Sequence, residues 1–516
     1  MKSSRTTDHL SLETSFLKYR KGGILVHLTS LPGKYGIGDL GSEFYRFIDF
    51  LHSSRQHLLQ ILPLGPTGYG NSPYQSFSTF AGNPLLISPE KLIDLGLLSF
   101  DEINIPKFPE IKVEFGKVFE FKSEILNKAY TNFTKNLSSS VQTQYKMFLE
   151  THNYWLEDFA LFMSIKEEHD LRAWNTWEES LRIRDSSAIS SWKKSHQEKI
   201  EFHKFSQFLF FQQWNDAKNY AHKKKVRIIG DIPIFVAYDS ADVWSNPHLF
   251  YLDNHGEMEY VAGVPPDYFS ETGQRWGNPI YRWDRMQKNG YKWWIKRINH
   301  NFSLVDILRI DHFRGFEAYW QIPAEETTAI NGKWVKGPGI NLFLTLKKVC
   351  GFLPVIAENL GIITPAVDEL LQQTGFPGMR VLQFAFGIEE EEYIGNDYLP
   401  HNYIPNTVVY TGTHDNDTTL GWFRTVPKEV KQEVLSYLNS DGEDIVRDLI
   451  RLAWSSVAKI SIIPLQDLLR LGSEGRMNYP GTESHNWEWR FTWEQLTNKQ
   501  SKEIARLSKI YQRHVS

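Results

Sequence analysis

Eight short apolar or β-branched runs punctuate the chain: Ile24–Leu28, Leu58–Leu62, Arg227–Gly230, Asp306–Ile310, Val355–Ala357, Arg380–Phe386, Val408–Tyr410 and Ile460–Leu465. Most are near-continuous rather than strictly alternating, which is the pattern of strands buried on both faces of a parallel sheet. Between many of them apolar positions recur at helical spacing, as in Val367–Gln373. Another such stretch runs from Pro427, a residue suited to a first helical position, to Leu438. Strands alternating with helices predict a parallel α/β architecture, and eight of them predict a closed (β/α)₈ TIM barrel.

The spacing of the runs is uneven. Far more chain separates Leu62 from Arg227 than one helix needs, and within it Val141–Asp170 and Ile200–Lys225 carry Trp, Phe and Tyr at helical spacing. Residues 90–225 are therefore expected to form a mainly helical insertion. A second insertion, 240–300, is rich in Pro, Gly and aromatics and reads as a loop-rich, substrate-covering segment. Residues 1–20 form a polar N-terminal extension, and 21–516 make up the barrel with its insertions at the C-terminal face. Too little chain follows the eighth run for a separate C-terminal β-sandwich domain. The final stretch, with Arg476–Thr482 and Asn486–Trp487, is expected to close the barrel and line its mouth.

Composition narrows the picture. A net charge of −4 from 57 Lys and Arg against 61 Asp and Glu gives no field that would gather nucleic acid. The one basic run, Lys223–Lys225, ends a helical stretch, where cations complement the helix dipole. Cys350 is the only cysteine, so no intramolecular disulfide can form, and its place at a helix end suits a buried, inert thiol. Met1–Arg20 lacks an apolar core and no apolar stretch is long enough to span a bilayer, so the expectation is a soluble, cytoplasmic protein without a membrane partner. The 17 Trp, 23 Tyr and 33 Phe serve a core and equally suit sugar binding. Composition does not separate those two uses.

The chemistry is written just after the strands. Polar residues cluster in Gly230-Asp231-Ile232-Pro233, Arg309-Ile310-Asp311-His312, Ala357-Glu358-Asn359 and Thr413-His414-Asp415-Asn416-Asp417. In a barrel these C-terminal strand ends share one mouth, so Asp311, Glu358 and Asp415 should meet there. Breaking a glycosidic bond needs one carboxylate to attack the anomeric carbon and a second carboxyl to protonate the departing oxygen and later activate an acceptor. Arg309, two residues before Asp311, faces the same way and should keep Asp311 ionised, whereas neighbouring anions should raise Glu358. Each residue also has a structural alternative. Asp311 and Asp417 suit helix N-caps, Arg309 an ion pair with a structural acid, and His414 a buried carbonyl. Caps explain a joint pattern across four strand ends poorly. No His-Glu-x-x-His or similar ligand spacing is present, so no metal site is expected.

These blocks resemble the 4-α-glucanotransferases known as amylomaltases or disproportionating enzymes, of the α-amylase clan. The resemblance covers almost the whole chain from Gly22 onward. It rests on His27-Leu28-Thr29-Ser30-Leu31-Pro32-Gly33, on Leu64-Gly65-Pro66-Thr67-Gly68-Tyr69-Gly70-Asn71-Ser72-Pro73-Tyr74-Gln75, and on Ala262-Gly263-Val264-Pro265-Pro266-Asp267-Tyr268-Phe269 running on to Gly273-Gln274-Arg275-Trp276-Gly277-Asn278-Pro279. It implies that Asp311 is the nucleophile, Glu358 the acid/base and Asp415 the carboxylate that grips the sugar at the cleavage point. Tyr74 would stack beneath that sugar, with Arg309, His414 and Asp231 lining it. Asp267, Tyr268, Trp276 and Asn278 would belong to a loop over the acceptor side. The implied reaction is retaining transfer of 1,4-α-glucan segments between maltodextrins or glycogen- and starch-derived glucans. Glucose also serves as acceptor, and no cofactor is needed. An α-glucan hydrolase with the same carboxylates, or a non-catalytic glucan-binding protein, is the alternative.

Overall fold

The computed structural model describes residues 17–135, 139–266, 270–387, 396–482 and 484–514. Eight parallel strands close a barrel: β1 (Lys21–Leu25), β2 (Leu58–Gln60), β3 (Arg227–Pro233), β6 (Ile307–Asp311), β9 (Val355–Ala357), β10 (Gly378–Val381), β11 (Thr407–Tyr410) and β12 (Ile460–Pro464). They neighbour one another in chain order, with β12 closing on β1. Each overlaps one of the eight sequence runs, β1 only at Ile24 and Leu25. The run Arg380–Phe386 yields a strand only to Val381 and then a 3₁₀ turn, Leu382–Ala385, that bends into the mouth.

Two-residue alternation sorts the strand side chains. Leu25, Leu58, Ile229, Ile307, Ile356, Val408, Tyr410 and Ile460 belong to one buried cluster filling the barrel. Their neighbours Ile24, Leu59, Ile228, Leu308, Val355 and Val409 belong to a second, packed under the surrounding helices. The parity has a chemical consequence. Asp231 follows Ile229 by two, Arg309 and Asp311 follow Ile307 by two and four, and Glu358 follows Ile356 by two. All four therefore continue interior rows toward the C-terminal rim.

Gly23 lies on an interior row where the barrel is tightest. A Cβ there would sit 2.6 Å from the Cβ and carbonyl oxygen of Leu58 and 2.7 Å from Ile462 Cδ1. Gly23→Ala is therefore expected to overpack the barrel and cost about 1–3 kcal/mol, read as a lowered denaturation midpoint at unchanged m-value.

Long helices, Phe115–Lys135, Ser139–Glu168 and Gln197–Lys223, occupy the chain between β2 and β3. Their aromatics serve the core: Trp214 is fully buried and donates through Nε1 to the Leu304 carbonyl at 3.0 Å. Cys350 ends the helix Ile340–Cys350 half-buried rather than buried, and burial still pushes its thiol up.

The segment expected to be loop-rich, 240–300, is more ordered than its composition suggests. It holds the helices Ala241–Ser245, Trp283–Lys288 and most of Lys292–Leu304, with strands β4 (Tyr260–Val264) and β5 (Gln274–Pro279). These join β7 (Ala318–Pro323) and β8 (Lys333–Lys336), which follow barrel strand β6, in an antiparallel sheet of order β5-β4-β7-β8. Among the described residues no helix is long and apolar enough to cross a membrane.

Candidate active site

A cleft of about 1630 Å³ opens over the C-terminal rim, larger than the ~300–1,000 Å³ usual for a single small molecule and suited to an extended chain. Arg309, Asp311, Glu358, His414 and Asp415 all line it, with Tyr74, Trp276 and Asn278. The sheet β5-β4-β7-β8 supplies one wall through Gln274, Trp276 and Trp334, and the C-terminal stretch supplies another through Asn478, Tyr479 and Trp487. Asp267 and Tyr268 fall outside the described residues.

Strand length decides which acids reach the cleft. Asp311 is the last residue of β6 and Glu358 the first beyond β9, whereas β3 continues past Asp231 to Pro233. The Asp231 side chain is consequently fully buried and stands behind the groups that line the cleft. Its Oδ2 accepts from Arg309 Nη1 at 2.6 Å and from the Tyr74 hydroxyl at 2.8 Å. Arg309 in turn places Nη2 3.1 Å from Asp311 Oδ1. One buried guanidinium thus joins the phenol's anchor to the carboxylate that faces the cleft.

Glu358 is held from behind. Its Oε2 accepts from the His312 backbone N–H and its Oε1 from that of Leu360, each at 2.6 Å. His312 presents its donor from a left-handed backbone conformation, φ 54°, uncommon for a residue with a Cβ. On the opposite rim Asp415 keeps 46 % of its side chain exposed. Its Oδ1 accepts from Asn478 Nδ2 at 2.6 Å, and Oδ2 lies 3.3 Å from His414 Nε2. The His414 ring stacks on Tyr74 with centroids 5.2 Å apart and planes 16° from parallel, and Trp487 closes against both. Trp276 meets His312 edge-to-face at 4.7 Å. Asn278 spends its amide donor on the Val236 carbonyl at 2.9 Å.

Four carboxylates around one guanidinium leave an excess of negative charge. Burial pushes the Asp311 carboxyl up to about 8, against the pull of Arg309 and with the repulsion of Glu358, Asp231 and Asp415. Sequence reasoning expects Arg309 to keep Asp311 ionised. The guanidinium is shared, however, and sits closer to Asp231. Burial also raises Glu358, against the pull of Arg309 and its two N–H donors. The two acids titrate as a pair that keeps one proton through neutrality. Burial lowers His312 to about 3, so it is neutral there. Among the described residues no group of three His, Cys, Asp or Glu is arranged to hold a metal ion.

Asn478, Trp487 and the N–H donors of His312 and Leu360 are the parts of the site that sequence reasoning leaves without a role. Asn478 and Trp487 fall in the stretch expected to line the mouth, but no periodicity singles them out.

The chain is similar to known proteins over almost its whole length. Residues 26–497 match the family model described as 4-alpha-glucanotransferase. The chain is 47 % identical over 504 residues to a 4-alpha-glucanotransferase of Synechocystis sp., covering 97 % of this chain and 99 % of that one. It is 49 % identical over 479 residues to the 4-alpha-glucanotransferase of Thermus thermophilus, covering 91 % and 94 %. An amylomaltase from Streptococcus agalactiae, solved in complex with acarbose, superposes with a TM-score of 0.93 at 40 % identity, covering 96 % of this chain and all of that one.

Proposed function

This chain belongs to the 4-alpha-glucanotransferase family and acts on α-glucans, and we propose that it moves 1,4-α-glucan segments between maltodextrins by retaining double displacement. The observation that carries the mechanism is the placement of Asp311 and Glu358. Ile310 pairs with Ala357 across β6 and β9, so the two acids follow as adjacent rim positions on strands about 4.8 Å apart. A retaining pair needs its carboxyls roughly 5–5.5 Å apart and an inverting pair roughly 6.5–9.5 Å, so the shorter Asp311–Glu358 separation is the expected outcome in a ligand complex.

In the first half-reaction an Asp311 oxygen attacks the anomeric carbon while the glycosidic C–O bond breaks. Glu358 gives its proton to the departing 4-oxygen. Because both Glu358 oxygens are held from behind by N–H groups, a proton on this carboxyl is left pointing into the cleft. In the second half the 4-hydroxyl of another maltodextrin, or of glucose, returns a proton to Glu358 as its oxygen displaces Asp311. Asp415, oriented by Asn478 and His414, grips the hydroxyls of the sugar as its ring flattens. Tyr74 supplies the platform beneath that sugar, and Asp231 and Arg309 hold platform and nucleophile in register. Maltodextrins derived from glycogen or starch fit the long cleft as donors and acceptors.

The pair must keep one proton to work, and Asp311 holds one up to about 8 while burial raises Glu358 as well, so kcat/KM should fall at alkaline pH as that proton is lost. A pH–rate profile on a maltodextrin donor checks this.

Product analysis tests the transferase reading. Maltotriose should give a ladder of longer maltodextrins plus glucose with almost no rise in total reducing ends. A new reducing end at nearly every cleavage would make the protein an α-glucan hydrolase. Water at about 55 M loses to a sugar only if the acceptor is bound and oriented, which can supply a far higher effective molarity. Trp276, partly exposed beside His312, is one such apolar plate. Trp276→Ala should raise hydrolysis relative to transfer more than it slows ester formation. An equal loss in both would make Trp276 a packing residue.

A further inference from the structure

Beyond the loops that hold Glu358, the β7–β8 hairpin carries an aromatic that the mechanism above does not use. Trp334 keeps 40 % of its surface exposed and lines the same cleft. A singly exposed aromatic is ordinary on a surface, and what sets Trp334 apart is its place at the wall of the cleft. Cross-strand pairing explains why it points there. Tyr319 pairs with Val335 and Trp320 with Trp334, so the strands turn a buried Tyr319 and a half-buried Val335 to one face and the two tryptophans to the other. Trp320 braces Trp334 at 5.2 Å and is itself pinned by donating Nε1 to the Ala329 carbonyl at 2.8 Å.

One face of the Trp334 ring is already taken. The Arg314 guanidinium lies 3.8 Å from its centroid, and Arg314 is buried and donates through Nη1 to the Ile362 carbonyl at 2.5 Å. Arg314 lies two residues after His312 and Ile362 two residues after Leu360, the residues whose N–H groups hold Glu358. The platform is therefore fastened to the acid/base by both of its supporting loops. From Glu358 to Ile362 the chain can span at most about 14 Å.

We propose that the free face of Trp334 is a sugar-stacking subsite for the acceptor chain, beyond its first glucose unit. This rests on the transferase reading above. Glu358 must reach the oxygen that leaves or enters, so the acceptor extends on its side of the scissile bond, away from the Tyr74–His414 stack. A pyranose presents an apolar face of C–H groups, which matches a flat indole fixed from behind. A free glucose acceptor ends before this plate, and a longer acceptor covers it.

The test fixes the donor as α-maltotriosyl fluoride and varies the acceptor among glucose, maltose and maltotriose. In the wild type the acceptor KM should fall with length. Trp334→Ala should raise the maltotriose KM by about tenfold and the glucose KM by less than about twofold, erasing the length preference. Trp334→Phe, which restores a flat apolar face, should recover most of it. An unchanged length preference in Trp334→Ala, or one common factor for all three acceptors, overturns the proposal. Fluoride release from the wild type with hydrolysis products alone would instead overturn the transferase reading, and this subsite with it.

Discussion

Asp311→Asn is expected to leave the barrel standing while removing about four decades or more of turnover. An amide cannot form the glycosyl ester, and what remains is the orientation and electrostatic help given by Asp415, Tyr74 and Glu358. The fold should survive because Arg309 keeps its shorter contact, 2.6 Å to Asp231, and because Asp311 is the rim residue of β6 rather than part of the packed interior. Stability gives an independent readout. The folded Asp311 carboxyl is raised from 3.8 to about 8, so the fold prefers its protonated form. Stability from that preference is fully present below the unfolded pKa and is lost as pH rises through about 8. Asn does not titrate. Unfolding in denaturant should therefore show the variant gaining on the wild type between about pH 4 and about pH 8. Near-wild-type turnover in a folded variant would remove Asp311 from the role of nucleophile.

The barrel was legible because its strands are buried on both faces and so appear as apolar runs that need no partner to be recognised. Two-residue parity then places Arg309 and Asp311 on one side of β6, and the structure puts them on the interior row behind Ile307. Parity also applies to Asp231, but its depth depends on where β3 stops, and Pro233 gives no warning that the strand continues that far. The antiparallel sheet was illegible for a different reason. Tyr260–Val264 and Gln274–Pro279 contain Gly and Pro, and β4 is held by pairing with Ala318–Pro323, far along the chain. A strand stabilised by a distant partner leaves little local pattern. Asn478 is harder still. It comes from an irregular segment and meets Asp415 across 63 residues, a contact that only the closed barrel creates.

Glu358→Gln separates the two half-reactions. With maltotriose as donor the departing sugar needs a proton, and its loss should cost about two to four decades. With a glycosyl fluoride the leaving group needs little help, so Asp311 should still be glycosylated at a rate closer to the wild type. The acceptor then finds no base, and the ester accumulates. Mass spectrometry of the quenched variant should find the adduct on a peptide containing Asp311, whereas an adduct on Glu358 in the wild type would exchange the two roles. The substitution has a structural cost that must be measured beside it. Both Glu358 oxygens accept backbone N–H groups, and an amide can satisfy only one of them through its oxygen. The other N–H, from His312 or Leu360, is left without its acceptor at about 1–3 kcal/mol, read as a lowered unfolding midpoint. The pH profile tells lost chemistry from a disturbed loop. If Glu358 carries the pair's working proton, the alkaline fall in maltodextrin cleavage expected of the wild type should vanish in the variant, because Asp311 alone need only be ionised. A variant that kept the basic limb at lower amplitude would show that Glu358 supports the loop and that another group supplies the proton.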